Sequence, residues 1–266
     1  MSEASYDAIR VRRDGGGHIA IVELDNPPLN VITLEVGREL KRACREFVKD
    51  ADVRVVVFRS AHRGIFTAGA DVTMMARVDA GGDAMLQDFL EVADVFDHVE
   101  QLPMPTICQL EGIAIGGGFE LALACDFRIA GDDLAQLGLP EVRLGLLPGG
   151  GGTQRLPRLV GAGVATEMIM KGMRYDAATA LAKGLVHEVV AADELVATVE
   201  QRAASLARQA PLALRHIKAL VRAAFEHPAD GLRRERECFL DLLATADAQE
   251  GISALTENRR PNFTGV

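Results

Sequence analysis

The chain has 266 residues, 48% of them hydrophobic and 25% charged, and a formal net charge of -9. This is the profile of a globular protein long enough for one large domain, or for a core with a smaller companion. The acidic balance argues against a general attraction to nucleic acid or to an anionic membrane, and no apolar run approaches the roughly 20 residues that span a bilayer.

The N-terminal "MSEASYDAIRVRRD" has no apolar h-region, so no secretory leader is expected and a cytoplasmic location is. "YDAIRVRRD" and "HIAIVELD" read as two strands of a hairpin around Gly15, Gly16 and Gly17. After the break at "NPPLN", apolar Leu34, Leu40, Ala43, Cys44 and Phe47 share one helical face, with Thr33 as N-cap. "VRVVVFRS" is a continuous β-branched run and reads as a buried strand. "IFTAGADV" is a loop. Residues 84 to 101 read as a helix, stopped by "LPMP". "TICQLEG" and "FRIAG" are strands on either side of "IAIGGG" and a short apolar helix, and "LGLLPGGGGTQRL" is a glycine-rich loop. Alternating strands and helices of this kind define an α/β fold. From about Asp193 the pattern is helical, with breaks at Pro211, "HPADG" and Gly251. Residues 1–196 are therefore expected to form the core and 197–266 a helical C-terminal subdomain. Helices so few cannot bury a core alone and must pack on the main body or a neighbouring subunit.

Cys44, Cys108, Cys125 and Cys238 form no Cys-x-x-Cys pair and read as four buried thiols in a reducing compartment. The six histidines are scattered without a His-x-x-x-His pair, so no metal site is expected. No serine stands in G-x-S-x-G, which disfavours the usual serine hydrolase.

The informative stretch is "AIGGGFELALACD", Ala114 to Asp126. A dinucleotide fingerprint set on Gly116 and Gly118 puts Leu121 in the third position, and the chain has no Gly-Lys-Ser/Thr. The glycines instead suit an oxyanion hole built from backbone N–H groups at a helix start. Glu120 then stands beside that hole, although a glutamate in a first helical turn also simply complements the helix dipole. Glu141 follows in an apolar, glycine-rich stretch, where it reads as a second acid for proton transfer next to a carbonyl, as a surface-loop glutamate, or as an ion-pair partner of Arg143 or Arg155.

These residues carry a resemblance. "FTAGADV" at 66–72, "GIAIGGGFELALACDFRIA" at 112–130, "GLPEVRLGLLPGGGGTQRLPRLVG" at 138–161 and "EGISALTENRRPNF" at 250–263 resemble, in order, motifs of the crotonase (enoyl-CoA hydratase/isomerase) superfamily. The resemblance implies a spiral of β-β-α turns with a C-terminal helical region that builds a homotrimer or homohexamer. It implies a coenzyme A thioester as substrate, with no metal or redox cofactor. The N–H groups of Ala70 and Gly117 would hold the thioester oxygen, each such donor being worth roughly 2.7–4 kcal/mol in the transition state. Ala68, Asp71 and Gly116 would contact substrate beside them. The hydratase branch carries both glutamates, and this chain keeps both. The implied reaction is syn addition of water to a 2-enoyl-CoA, Glu120 activating the water and Glu141 giving the α-carbon its proton. An extra residue in "GDDLAQ" lies in a loop and is expected to leave Glu141 in place. Thr73 and Asn258 stand where lysines near the coenzyme A phosphates are common, which leaves Arg77, Arg259 and Arg260 as candidate cations. Met74, Met75, Met85, Leu86 and Phe89 are candidate walls of the acyl pocket. The alternatives are an enoyl-CoA isomerase working mainly through Glu141, a non-catalytic acyl-CoA- or RNA-binding scaffold, and a nucleotide-dependent oxidoreductase, whose fingerprint is missing.

Overall fold

In the computed structural model, which describes residues 6–71, 78–226 and 228–266, strand β1 (Ile9–Asp14) pairs antiparallel with β2 (Ile19–Leu24) across the glycine turn. Strands β3 (Val55–Ser60), β4 (Thr106–Leu110), β6 (Phe127–Gly131) and β9 (Glu188–Val190) extend this pair in parallel, in the order β1-β2-β3-β4-β6-β9. A second sheet holds β5 (Ile113–Ile115), β7 (Gln136–Gly138) and β8 (Arg174–Tyr175). The winding explains the two sheets. After β4 the chain turns at Gly112, adds β5 to the small sheet, and enters helix α3 (Gly117–Ala124). After β6 it turns at residues 132–135 and adds β7 beside β5. The turn before does the same in miniature. Past β3, Thr67 makes a single bridge to Ala114 before helix α2 (Val78–Glu100). Each turn of the spiral is thus strand, strand, helix.

The central strands β2, β3 and β4 are covered on both faces and carry continuous apolar runs, whereas the edge strand β1 carries exposed Arg10, Arg12 and Arg13. The pleat sorts them: Val56 and Phe58 of β3 belong to the main core with α1 (Leu34–Lys49), while Val55 and Val57 face helix α6 (Leu195–Ala207) and pack with Leu195, Val199 and Ala203. In α1, Val36, Leu40, Ala43, Cys44 and Phe47 form the buried stripe, and Thr33 caps it by accepting the Val36 N–H. The remaining helices are α4 (Gly152–Lys171), α5 (Ala177–Ala182), α7 (Pro211–Glu226), α8 (Pro228–Leu243) and α9 (Ala246–Thr256). Among the described residues no helix is long and apolar enough to cross a membrane.

Four sequence readings change. The stretch read as a glycine-rich loop is a 3₁₀ turn at Glu141–Leu144, a loop, and then α4, which starts at Gly152 with "TQRL" already helical. Helix α2 begins at Val78, six residues before the expected start at 84. Gly251 lies within α9 and does not break it. A glycine inside a helix costs only about 1 kcal/mol, and here the missing side chain leaves room for the Phe263 ring. Cys44, Cys108 and Cys125 are buried free thiols, whereas Cys238 is only partly buried, on amphipathic α8.

Candidate active site

Helix α3 is short and buried on every side, so its orientation is set by the chain around it. It starts at Gly116, whose φ of 54° and ψ of -130° belong to the region open to glycine, and whose N–H donates to the Gly138 carbonyl at 2.9 Å. Gly117 is the first helical residue, so its N–H has no acceptor within the helix.

The loop 66–71 is woven against this helix start. Thr67 donates its N–H to the Ile113 carbonyl at 3.0 Å, and Ala68 donates to Leu29 at 3.0 Å. Gly69 accepts from Ile32 at 2.8 Å and Asp71 donates back to Ile32 at 3.3 Å. Gly69 has φ of 101°, and a Cβ there would stand 2.9 Å from the Ile115 carbonyl oxygen. The weave brings the two segments so close that a Cβ on Gly117 would lie 3.2 Å from the Ala70 nitrogen. Two peptide segments meeting at this distance at a helix N-terminus make a place for negative charge.

A cavity of about 850 Å³ opens on this junction. All seven residues expected from the sequence line it: Ala68, Ala70, Asp71, Gly116, Gly117, Glu120 and Glu141. Its walls are otherwise mainly apolar, with Phe89, Val92 and Phe96 from α2 on one side and Leu144, Leu146 and Leu147 on another. Of the proposed acyl-pocket residues, Phe89 is therefore in place. Thr73, Met74, Met75 and Arg77, with the side chains of Met85 and Leu86, lie outside the described residues.

Glu120 sits one turn into α3 and is buried. Its Oε1 accepts two backbone N–H groups, from Gly150 and Gly152, each at 2.8 Å. Burial raises its pKa. The two N–H groups and the Arg155 guanidinium act in the opposite direction. Glu141 enters from the 3₁₀ turn after β7, with Oε1 3.2 Å from where a Cβ of Gly116 would stand. Its Oε2 is buried and lacks a hydrogen-bond partner. Burial pushes the Glu141 carboxyl up to about 7, its own backbone N–H pulls it down, and the charge of Glu120 adds to the rise. "GDDLAQ" forms the turn between β6 and β7, with Leu134 donating to the Gly131 carbonyl. The two carboxyls thus share one apolar cavity in different settings: one bonded by fixed dipoles, the other lacking a partner at Oε2 and pushed up to about 7.

Other expectations fare differently. Glu141 has no ion pair with Arg143 or Arg155 among the described contacts; Arg155 instead pairs with Asp97 and Glu100. Arg259 is engaged by Glu250 at 2.6 Å and by Glu257 at 2.6 Å. Among the described residues one group of acids, Asp7, Glu35 and Glu39, places carboxylate oxygens within 4.8 Å of one another, but Glu39 accepts three backbone N–H groups and none of the three lines the cavity. The expected site did not include Gly150, Gly152 or Arg155 as groups acting on Glu120; a cation in the turn behind four glycines was the available signal.

A β-β-α spiral that brings two backbone N–H segments and two carboxyls into one apolar cavity defines a protein of the crotonase fold class. The chain belongs to the enoyl-CoA hydratase/isomerase family, whose model matches residues 14–266. It is 39% identical over 261 residues to an Arabidopsis thaliana protein named "Probable enoyl-CoA hydratase 2, mitochondrial", covering 97% of this chain and 86% of that one. It is 40% identical over 233 residues to the mouse protein named "Enoyl-CoA hydratase domain-containing protein 2, mitochondrial", covering 85% of this chain and 77% of that one. Among solved structures, the enoyl-CoA hydratase of Bacillus anthracis superposes with a TM-score of 0.91 at 35% identity, over 98% of this chain and 100% of that one.

Proposed function

We propose that this protein is a hydratase that adds water across the double bond of a 2-enoyl-CoA thioester to give the 3-hydroxyacyl-CoA. The observation that carries the reading is the unequal pair of carboxyls, Glu120 held by two N–H groups and Glu141 pushed up to about 7. Addition of water needs one group to take a proton and another to give one, so two carboxyls of different hydrogen-bonding in one cavity suit it.

Ionised Glu120 takes a proton from a water molecule as the water oxygen bonds to the β-carbon. The electron pair of the double bond moves toward the thioester oxygen, where the N–H groups of Ala70 and Gly117 hold the developing enolate. Neutral Glu141 then gives its proton to the α-carbon. Glu120 ends protonated and Glu141 ionised, and proton exchange with water restores both. Both acids line the same cavity, which fits delivery of the hydroxyl and the proton from one side. Ala68, Asp71 and Gly116 contact the substrate beside the oxyanion position. The C-terminal helices of residues 197–266 associate copies of the chain into a trimer or hexamer. Exposed Phe225, Leu232, Phe239 and Leu240 supply apolar surface for that packing.

The test is the mass of the product. Incubation with crotonyl-CoA and with a long-chain 2-enoyl-CoA yields a product one water heavier. A product of unchanged mass, with its double bond moved, would assign the isomerase reaction instead.

A further inference from the structure

The hydratase reading uses Glu120 and leaves unexplained the buried cation behind it. Arg155 lies in the first turn of α4 and is 7% exposed. Its Nη1 donates to the Gly150 carbonyl at 2.7 Å. Its Nε and Nη2 donate to Glu100 Oε2 at 2.9 and 2.7 Å, and Nη2 also reaches Asp97 Oδ1 at 2.5 Å. The side chain folds back so far that a Cβ on Gly151, where φ is 99°, would stand 2.1 Å from Nη1. Any side chain at position 151 would displace the guanidinium.

This makes a chain of contacts with a direction. Asp97 and Glu100 close the last turns of α2, the helix that also brings Phe89 and Phe96 to the cavity wall. They fix the guanidinium, and the guanidinium fixes the Gly150 carbonyl. The N–H groups of Gly150 and Gly152 fix Glu120 Oε1, which leaves Oε2 for a proton in the cavity. Phe96 closes the far side: a Cβ on Gly150 would lie 2.2 Å from its ring and 2.8 Å from Glu120 Oε2.

We propose that Arg155 is the positioning residue of the site: by clamping the glycine loop 150–152 to the end of α2 it aims the Glu120 carboxylate into the cavity. It does so through the loop, without touching substrate. The charged groups around this arrangement are Arg155 from α4, which acts on Glu120 directly, Glu141 from the 3₁₀ turn, which Glu120 raises, and, behind the guanidinium, Asp97 and Glu100 from α2 and Arg222 from α7, which donates to the Glu100 carbonyl at 2.5 Å. Among them Arg155 is the cation bonded to the loop that holds Glu120, and its charge opposes the rise that burial imposes.

The test compares Arg155→Gln, Arg155→Lys and Glu100→Gln in the full-length protein. Each is checked by circular dichroism and thermal melting, and each is assayed for water addition to crotonyl-CoA across pH. A carboxylate misaimed by a fraction of an ångström loses rate with little change in binding, so Arg155→Gln lowers kcat about 100-fold while KM changes little. Its acid limb moves to higher pH. Arg155→Lys restores part of kcat and returns the limb toward wild type. Glu100→Gln keeps the cation, so it lowers kcat without moving the limb upward. The kinetic arm rests on the hydratase reading. A second arm does not: the Glu120 carboxyl carbon is titrated by NMR in protein carrying ¹³C-labelled glutamate, with the resonance assigned by its loss in Glu120→Gln. Arg155→Gln raises that titration whether or not the wild type hydrates crotonyl-CoA. A folded Arg155→Gln protein with wild-type kcat, or with an unmoved Glu120 titration, overturns the proposal. If Arg155→Gln does not fold, wild-type kcat in both Arg155→Lys and Glu100→Gln overturns it equally.

Discussion

Glu141→Gln tests whether the fold holds a carboxyl at a place that disfavours its charge. Burial pushes the Glu141 carboxyl up to about 7, and in the unfolded chain it titrates at about 4.3. A group raised on folding gives its full stability below the unfolded value and loses it as pH rises through the folded value. At pH 8 the wild type therefore carries the cost of an ionised carboxylate in an apolar cavity, with Oε2 unpartnered. The shift taken at face value is an upper bound at 1.36 kcal/mol per unit; with solvent reaching this partly buried group, about 1–2 kcal/mol remains. Glutamine has the same shape and no charge. The variant is therefore more stable than wild type at pH 8 by about 1–2 kcal/mol, a displacement of roughly 0.5 M in the urea midpoint. The two midpoints converge only below the unfolded value, at about pH 3.5. The assay is paired urea unfolding at both pH values and at one protein concentration, since association also shifts midpoints. A variant equally stable or weaker at pH 8 would refute the burial argument and the protonation state drawn from it.

Two further outcomes follow from the same geometry. The kcat/KM for hydration, which reads the free protein, falls close to tenfold per pH unit on the alkaline side once Glu141 has lost its proton above about pH 7, and it falls on the acid side as Glu120 gains one; a flat profile from pH 6 to 9 would contradict the assignment. Gly118→Ala puts a Cβ 2.4 Å from Thr67 Cγ2 and 2.8 Å from the Thr67 carbonyl oxygen. The loop must then move away from α3. Separation of the Ala70 and Gly117 N–H groups lowers kcat about 100-fold or more, with a loss of about 1–3 kcal/mol in stability; steady-state kinetics and melting measure the two effects.

Much of this was legible because local chemistry and tertiary context agree. A hydroxyl before an amphipathic pattern marked Thr33 as a cap, and a run of four β-branched and aromatic residues marked β3 as covered on both faces. The spiral was not legible from periodicity. It depends on β5, β7, β8 and β9, strands of two or three residues that are too short to show a period. Glycines misled twice. Gly152 and Gly251 look like breaks but are helical, since one glycine in a helix costs only about 1 kcal/mol and its tertiary surroundings override that. For the site, the residues alone offered two acids and a glycine run, each with an ordinary structural explanation. The resemblance to crotonases joined them, and the structure brings them to one cavity. The Arg155 clamp joins residues 97, 100 and 155 across more than fifty positions, and nothing in a single sequence records such a contact.

The most direct measurement of the central claim is the ultraviolet absorbance of the conjugated thioester when wild-type protein, Glu120→Gln and Glu141→Gln each meet crotonyl-CoA, with a long-chain 2-enoyl-CoA run beside it. The account predicts rapid loss of absorbance with the wild type and near-complete loss of rate in both variants, since either lacks half of the proton transfer. Wild-type protein that leaves the absorbance unchanged at every chain length, or Glu120→Gln protein that retains the wild-type rate, would contradict it.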